Sequence, residues 1–339
     1  MMNAMEKKNK ITMNDIAREA GVSQATVSLI LNNAQSIKLS DETRLRVINT
    51  AQMLGYKKIP SPQKAEGQEE IAVIINSMPS YDPFVDALSQ ARDAAWRNDM
   101  LLTIYDYGDD IDLALRIIRQ LEQRRCTGIV LASPITRSID FSLFDHCTAM
   151  PLVLLNVYDR AYPLQSTFLP DDYANALQVT RHLINQGARR IAHIMGDDWM
   201  DASHHRLSGY KVALEHAGIP FDDALVIKTN WRLDETHQAT YQVMHLPSPP
   251  DAIFCSSDWM TLGCYQALAE MEVKVPQDIL VAGYDDQRIA EQLMPKLTSV
   301  QLPYIELSRM AVEYLCQGEC TPTHVKMAGK LQIRGSTMP

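Results

Sequence analysis

Residues 11–32 read ITMNDIAREAGVSQATVSLILN, two short helices around a tight turn. Thr12 stands three residues before Asp15, the spacing of a helix N-cap with an acid near the positive helix end. Ile16, Ala17 and Ala20 then make a small apolar stripe. Gly21 supplies the turn, because glycine takes left-handed backbone without a Cβ penalty. Ser23 caps a second helix on which Val27, Ile30 and Leu31 face inward. Gln24, Ala25, Ser28 and Leu29 fall on or near the other side, an uncharged face rich in hydrogen-bonding groups. A third helix is predicted over 41–54, capped by Ser40 and ended by Gly55, with Leu45, Val47, Ile48, Ala51 and Leu54 closing a core. Such a module is a helix-turn-helix, whose second helix is slim enough to enter a DNA major groove. Periodicity alone equally allows a three-helix bundle that docks protein.

Charge separates this head from the rest of the chain. Residues 1–59 carry nine basic and five acidic side chains, a net +4, whereas the remainder carries 23 and 36, a net −13. A small basic head on a large acidic body suggests that only the head meets a polyanion. The 339 residues suffice for two or three domains. The N-terminal MMNAMEKKNK has no apolar region behind it, and no apolar run approaches a membrane span, so a cytoplasmic protein with no membrane partner is expected. Six scattered cysteines suit a reducing compartment. The spacing of Cys316, Cys320 and His324 matches a metal site poorly.

From Ile71 the pattern changes. Short apolar runs (71–75, 101–105, 128–132, 151–156) alternate with helix-period stretches at 83–97 and 111–123. A second series has strands at 190–195, 225–227, 252–255 and 278–284 and helices at 204–217, 233–244 and 257–271. Buried strands alternating with amphipathic helices make parallel sheets with helices on both faces. Two series predict two doubly wound lobes, an α/β fold whose ligands bind at strand carboxyl ends, in the crevice between lobes.

The opening run closely resembles the DNA-binding head of the lactose-repressor (LacI/GalR) family. Thr12, Asp15, Ile16, Ala17, Ala20-Gly21-Val22-Ser23, Thr26-Val27-Ser28 and Asn32 fall on its pattern. The body resembles that family's periplasmic-binding-protein-like core over essentially its whole length, with landmarks at Asp82-Pro83-Phe84, Gly128-Ile129-Val130, Asp171-Asp172, Arg206-Leu207-Ser208-Gly209-Tyr210, Ser257-Asp258, Gly283-Tyr284-Asp285-Asp286 and Arg334-Gly335-Ser336-Thr337. The resemblance implies a helix-turn-helix domain at 1–59, a linker at 60–69 and a two-lobed effector-binding and dimerisation core at 70–339. Lobe 1 would hold about 70–167 and 302–326, and lobe 2 about 168–301 and 327–339.

The resemblance also implies roles. Base reading falls to Gln24, Ala25 and Leu29: glutamine can pair with adenine, whereas alanine and leucine can only pack, for instance on thymine methyls. Many members have arginine where this chain has Leu29, so readout here is expected to be less guanine-directed. Ser23, Thr26 and Ser28, with the helix N-termini, would contact phosphates and fix register, and Thr12 and Asn32 would also belong to the DNA-binding set. In the crevice, Phe84 takes an aromatic position, Arg206 the pocket arginine, Asp285 the pocket aspartate and Trp231 a ring that stacks on ligand, with Asn156, Asp171 and Ser257 as secondary contacts. A guanidinium fork, a carboxylate and aromatic rings suit a sugar or similar polyol. A sugar acid or nucleobase fits the same set, but Met200 stands where purine-binding members carry a second arginine. The linker departs from the family: 56–70 reads YKKIPSPQKAEGQEE, without the Ala-Arg-x-Leu-like run whose leucines wedge into the minor groove, and Pro60 and Pro62 disfavour continuous helix.

No nucleophile elbow, phosphate loop, zinc-protease motif or dinucleotide fingerprint is present. The expected protein is a ligand-responsive, operator-binding transcriptional regulator, a repressor, without enzymatic activity, metal or cofactor. It would act as a homodimer or a higher assembly, because one helix reads only a few base pairs. The competing expectation is a small-molecule sensor whose head docks a protein.

Overall fold

The computed structural model describes residues 11–31, 40–54, 56, 69–78, 84–124, 126–140, 150–160, 165–318 and 321–338. The chain divides into two compact units, 1–67 and 68–339.

In the first unit, α1 (Met13–Ala20), α2 (Gln24–Leu31) and α3 (Asp41–Met53) enclose a small core of Ile16, Ala17, Ala20, Val27, Ile30, Leu31, Val47 and Ala51. Thr12 and Asp15 form a reciprocal cap: the Asp15 amide donates to Thr12 Oγ1 at 3.4 Å, and the Thr12 amide donates to Asp15 Oδ2 at 3.0 Å. Gly21 ends α1 at φ +65° with open space where a Cβ would stand, so conformation and not crowding calls for glycine. Ser23 and Ser40 accept from the amides of Thr26 and Thr43. Leu45, expected in the core, is instead 49% exposed. It stands two positions before Val47, roughly 200° around the helix from the buried Val47–Ala51 face. Gly55 and the linker lie outside the described residues, apart from Glu69, which already belongs to the first strand.

The second unit contains β1 (Glu69–Ile75), α4 (Phe84–Trp96), β2 (Met100–Asp106), α5 (Ile111–Arg124), β3 (Gly128–Ser138), β4 (Leu152–Tyr158), β5 (Ser166–Pro170), α6 (Asp172–Asn185), β6 (Ile191–Met195) and α7 (Asp201–His216). Next along the chain come β7 (Val226–Lys228), α8 (Leu233–Met244), β8 (Ala252–Cys255), α9 (Asp258–Glu270), β9 (Leu280–Ala282), β10 (Ser299–Gln301), α10 (Tyr304–Gln317), β11 (His324–Met327) and β12 (Lys330–Gln332). One parallel sheet runs β11-β5-β4-β3-β1-β2 and a second runs β7-β6-β8-β9. A small antiparallel pair joins β10 and β12. Ile71–Ile75 is buried throughout, as a strand covered by helices on both faces must be. The architecture is the doubly wound α/β core that the alternating pattern predicts.

Two boundaries move. β5 keeps the chain in the first sheet to Pro170, beyond residue 167, and β11 keeps it there to Met327. In both sheets the strand order reverses beside a central strand: β1 lies between β2 and β3, and β6 between β7 and β8. Those reversals place the crevice at the carboxyl ends of the strands.

Candidate functional site

On the head, Ser23, Gln24 and Ala25 are exposed or half-exposed, and Thr26, Ser28 and Leu29 are half-buried, opposite the Val27–Ile30–Leu31 face. The face expected to read bases is therefore open. Thr12 and Ser23 are engaged as caps, so their contribution is to hold the helix N-termini, whose free amides suit phosphate. Asn32 lies outside the described residues.

In the body, Arg206 projects from α7 into a fully built ionic cluster. Its Nε donates to Asp172 Oδ1 at 2.9 Å, its Nη1 donates to the Ser256 carbonyl at 2.5 Å, and Asp285 Oδ1 stands 3.9 Å away. The guanidinium lies 3.8 Å from the Tyr284 ring centroid and 5.5 Å from that of Trp231. Burial opposes its charge, but Asp172, Tyr284 and Asp285 together hold its pKa above the ordinary arginine value. Asp172 is completely buried at the first position of α6, and it also accepts from Tyr284 Oη at 2.8 Å and Thr136 Oγ1 at 2.8 Å. The Arg206 side chain thus ties α7 to α6 and to the residues that follow β8 and β9.

Trp231 holds left-handed backbone, φ +60°, and its ring lies directly on Gly196: a Cβ there would come within 2.1 Å of the indole. Asn156 (φ +60°) and Asp285 (φ +102°) also have positive φ. For a residue as bulky as tryptophan this conformation is costly, and such strain concentrates at ligand sites. Two further hydroxyls went unnoticed in the sequence. Ser203 lies one helical turn before Arg206, and Ser256 directly follows β8; both are fully buried and neither hydroxyl has a hydrogen-bond partner among the described residues. Orphaned buried hydroxyls are rare in native proteins.

The other expected contacts are placed differently. Phe84 is completely buried and packs edge-to-face on Tyr304 at 5.2 Å, a wall of the core and not an open stacking ring. Asn156 is buried in a network with Thr136, the Ser133 carbonyl and Tyr304 Oη. Asp171 caps α6 through Ala174 and lies 3.4 Å from Lys326, while its neighbour Asp172 takes the arginine. Ser257 is the cap of α9, and its neighbour Asp258 accepts from Ser299 Oγ at 2.6 Å and the Gln287 amide at 2.7 Å. Burial pushes the Asp258 carboxyl up to about 8 against those donors.

Two of the acids near His204-His205 are engaged elsewhere. Asp198 pairs with Lys228 at 2.8 Å, and Asp201 accepts from the Ser138 amide at 2.6 Å and pairs with Arg160, bridging the two sheets. No group of three potential metal ligands gathers among the described residues. Likewise no helix among them is long and apolar enough to cross a membrane.

Residues 12–58 match the description "Bacterial regulatory proteins, lacI family", and residues 180–337 match "Periplasmic binding protein-like domain". The chain is 30% identical to the ribose operon repressor of Escherichia coli strain K12, over 96% of this chain and 99% of the relative. It is 29% identical to the HTH-type transcriptional repressor CytR of the same strain, over 99% of each. Among solved structures it resembles a transcriptional regulator CelR–cellobiose complex (TM-score 0.68, 26% identity, covering 96% of this chain and 99% of that one). The lac repressor dimer bound to operator and the anti-inducer ONPF shares the fold (TM-score 0.70, 22% identity, covering 98% and 100%). The chain belongs to the lacI family of bacterial regulatory proteins, DNA-binding transcriptional regulators with a helix-turn-helix head and a periplasmic-binding-protein-like core.

Proposed function

We propose that this protein is a cytoplasmic repressor that binds a palindromic operator as a homodimer and releases or tightens its hold when a sugar or sugar derivative enters the crevice. The observation that carries this reading is the Arg206 cluster. A buried guanidinium flanked by Asp285, two aromatic rings and two hydroxyls without a partner among the described residues offers polar edges to hydroxyl groups and a flat face to an apolar ring surface. Asn156 supports the cluster through Thr136, while Phe84, Asp171 and Ser257 shape the walls. The relatives' names agree with the class: a ribose operon repressor and a regulator in complex with cellobiose.

Screening the purified protein by thermal shift against sugars, sugar phosphates, sugar acids and nucleobases tests the ligand class. A ligand at 100-fold excess over its Kd stabilises the native state by about 2.7 kcal/mol. A hit among sugars supports the crevice, whereas a hit confined to nucleobases, or none, removes the sugar reading.

Gln24, Ala25 and Leu29 read the operator, with Thr12, Ser23, Thr26, Ser28 and Asn32 setting register. Gln24→Ala is expected to relax preference at one base pair of each half-site, at a cost of roughly 1–3 kcal/mol. Selection from a randomised duplex pool measures this, and an unchanged consensus would remove Gln24 from base reading. A steep fall in affinity with salt separates this function from a protein-docking head.

A further inference from the structure

Helix α5 turns a uniform face to solvent. Ala114, Ile117, Ile118 and Leu121 are buried against the sheet, in one cluster with Ile74, Ile129 and Leu131. That packing fixes which side chains point outward. Over 116–124 the exposed ones are Arg116, Arg119, Gln120, Gln123 and Arg124: three guanidinium groups and two amides, with no carboxylate among them. The chain beyond the head carries a net charge of −13, so such a run stands out from its surroundings. None of the three arginines makes a hydrogen bond or ion pair with a described residue, whereas Arg92, Arg160, Arg190, Arg232 and Arg309 of the same unit all pair with acids. The negative end of the helix dipole accounts for Arg124 in the last turn and reaches neither Arg116 nor Arg119.

The ridge stands at the end of the sheet where the chain arrives from the head. α5 runs back against the parallel strands, so its last turn lies at their amino ends. There the Thr127 amide donates to the Glu70 carbonyl at 2.8 Å, and Gly128 lies level with Ile71 of β1. The crevice is at the other, carboxyl end. Twelve residues, 57–68, join Tyr56 of the head to Glu69, a tether of at most about 45 Å. A head seated on DNA therefore holds this end of the core at a high effective concentration of phosphate, where contacts too weak to act alone add to affinity. From Arg116 to Arg124 the ridge is about 12 Å long. Over that length each strand of a duplex presents about three or four phosphates. The guanidinium fork matches phosphate oxygens in pairs.

We propose that the Arg116–Arg119–Arg124 ridge is a second DNA contact, a clamp on the phosphate backbone beside the half-site. Phosphate contacts position and carry no sequence information, so the ridge adds affinity and salt dependence while the head keeps the choice of sequence. The inference rests on operator binding by the head.

Titration of the full-length protein with a duplex enriched from a random pool and extended by flanks, at 50 and 200 mM salt, tests it. The triple variant Arg116→Gln, Arg119→Gln, Arg124→Gln is expected to bind at least about tenfold more weakly at the lower salt. Between the two salt concentrations its affinity is expected to fall about fortyfold less than that of the unmodified protein, for three phosphate contacts at a slope of about −0.9 each. The consensus selected from the pool is expected to stay the same, and lysine at the three positions is expected to restore most of the slope. The same charge change on lobe 2, Arg181→Gln, Arg189→Gln and Arg232→Gln, is the control and is expected to leave the slope as it is. An unchanged slope in the ridge variant overturns the clamp and assigns the ridge to an acidic protein surface, with binding by the head still standing. An equal loss in the control likewise overturns the clamp, because net charge and not contact is then responsible. An unmodified protein whose duplex affinity does not depend on salt overturns both the clamp and DNA binding by the head.

Discussion

Arg206→Ala is expected to cost about 3–5 kcal/mol of folding stability in addition to abolishing any effector response, because it strands a buried carboxylate. Asp172 is completely buried, and its Oδ1 receives the arginine Nε. Without the guanidinium, Tyr284 and Thr136 still donate to Asp172, but its charge has no counter-ion in contact among the described residues. From the sequence alone one expects a response-dead variant that binds operator normally. The buried pair adds a stability loss large enough to reduce the amount of folded protein. The double variant Arg206→Met with Asp172→Asn removes both charges and is expected to recover most of the loss, a large positive coupling in a double-mutant cycle. Urea unfolding of the four proteins measures it. A single-variant loss below about 1 kcal/mol would place the pair in solvent-like surroundings, contrary to the geometry.

Acidification supplies the second large effect. His193 is fully buried on β6, stacked between Tyr210 (5.3 Å) and Phe254 (4.6 Å), with Nδ1 against the Phe254 carbonyl and Nε2 unpartnered among the described residues. Burial brings its pKa down from 6.5 to about 4, and the Arg206 charge acts in the same direction against the hydrogen bond to Phe254. The unfolded chain therefore takes up this proton first as pH falls. Stability is complete above pH 6.5 and declines through the window from 6.5 to 4, by about 3 kcal/mol in all and about 2 kcal/mol between pH 7 and pH 5. Urea unfolding at those two pH values checks it against His193→Phe, which keeps an aromatic ring in the stack and cannot titrate. Equal pH dependence in the two proteins would show that His193 is not the group responsible.

The fold was legible because its signals are periodic. Glycine at 21, caps at 12, 23 and 40, and buried runs such as 71–75 arise directly from backbone conformation and two-faced burial. β5 and α6 were harder, because STFLP is short and α6 carries Asp172, Asn175 and His182 on its buried side, which blurs its stripe. Of the expected crevice contacts, the structure gathers some and turns others to their own backbone. Arg206, Asp285 and Trp231 come together, but Asp172 and not Asp171 takes the arginine, since the capping residue of α6 is turned to its own backbone and Lys326. Sequence spacing cannot say which of two adjacent aspartates is the cap. Nor can it show that Tyr284 underlies the guanidinium, or that Ser203 and Ser256 find no partner among the described residues, because those facts arise from elements far apart in the chain.

The central claim is that ligand in the crevice controls DNA affinity, and one titration tests it most directly. A duplex enriched from a random pool is titrated with the full-length protein, with and without the ligand that raises its melting temperature. The account predicts that the ligand changes the DNA Kd by about 5- to 150-fold, and that the duplex changes the ligand Kd by the same factor. A ligand that binds the core yet leaves DNA affinity unchanged, or a pool from which no duplex is enriched, would contradict it.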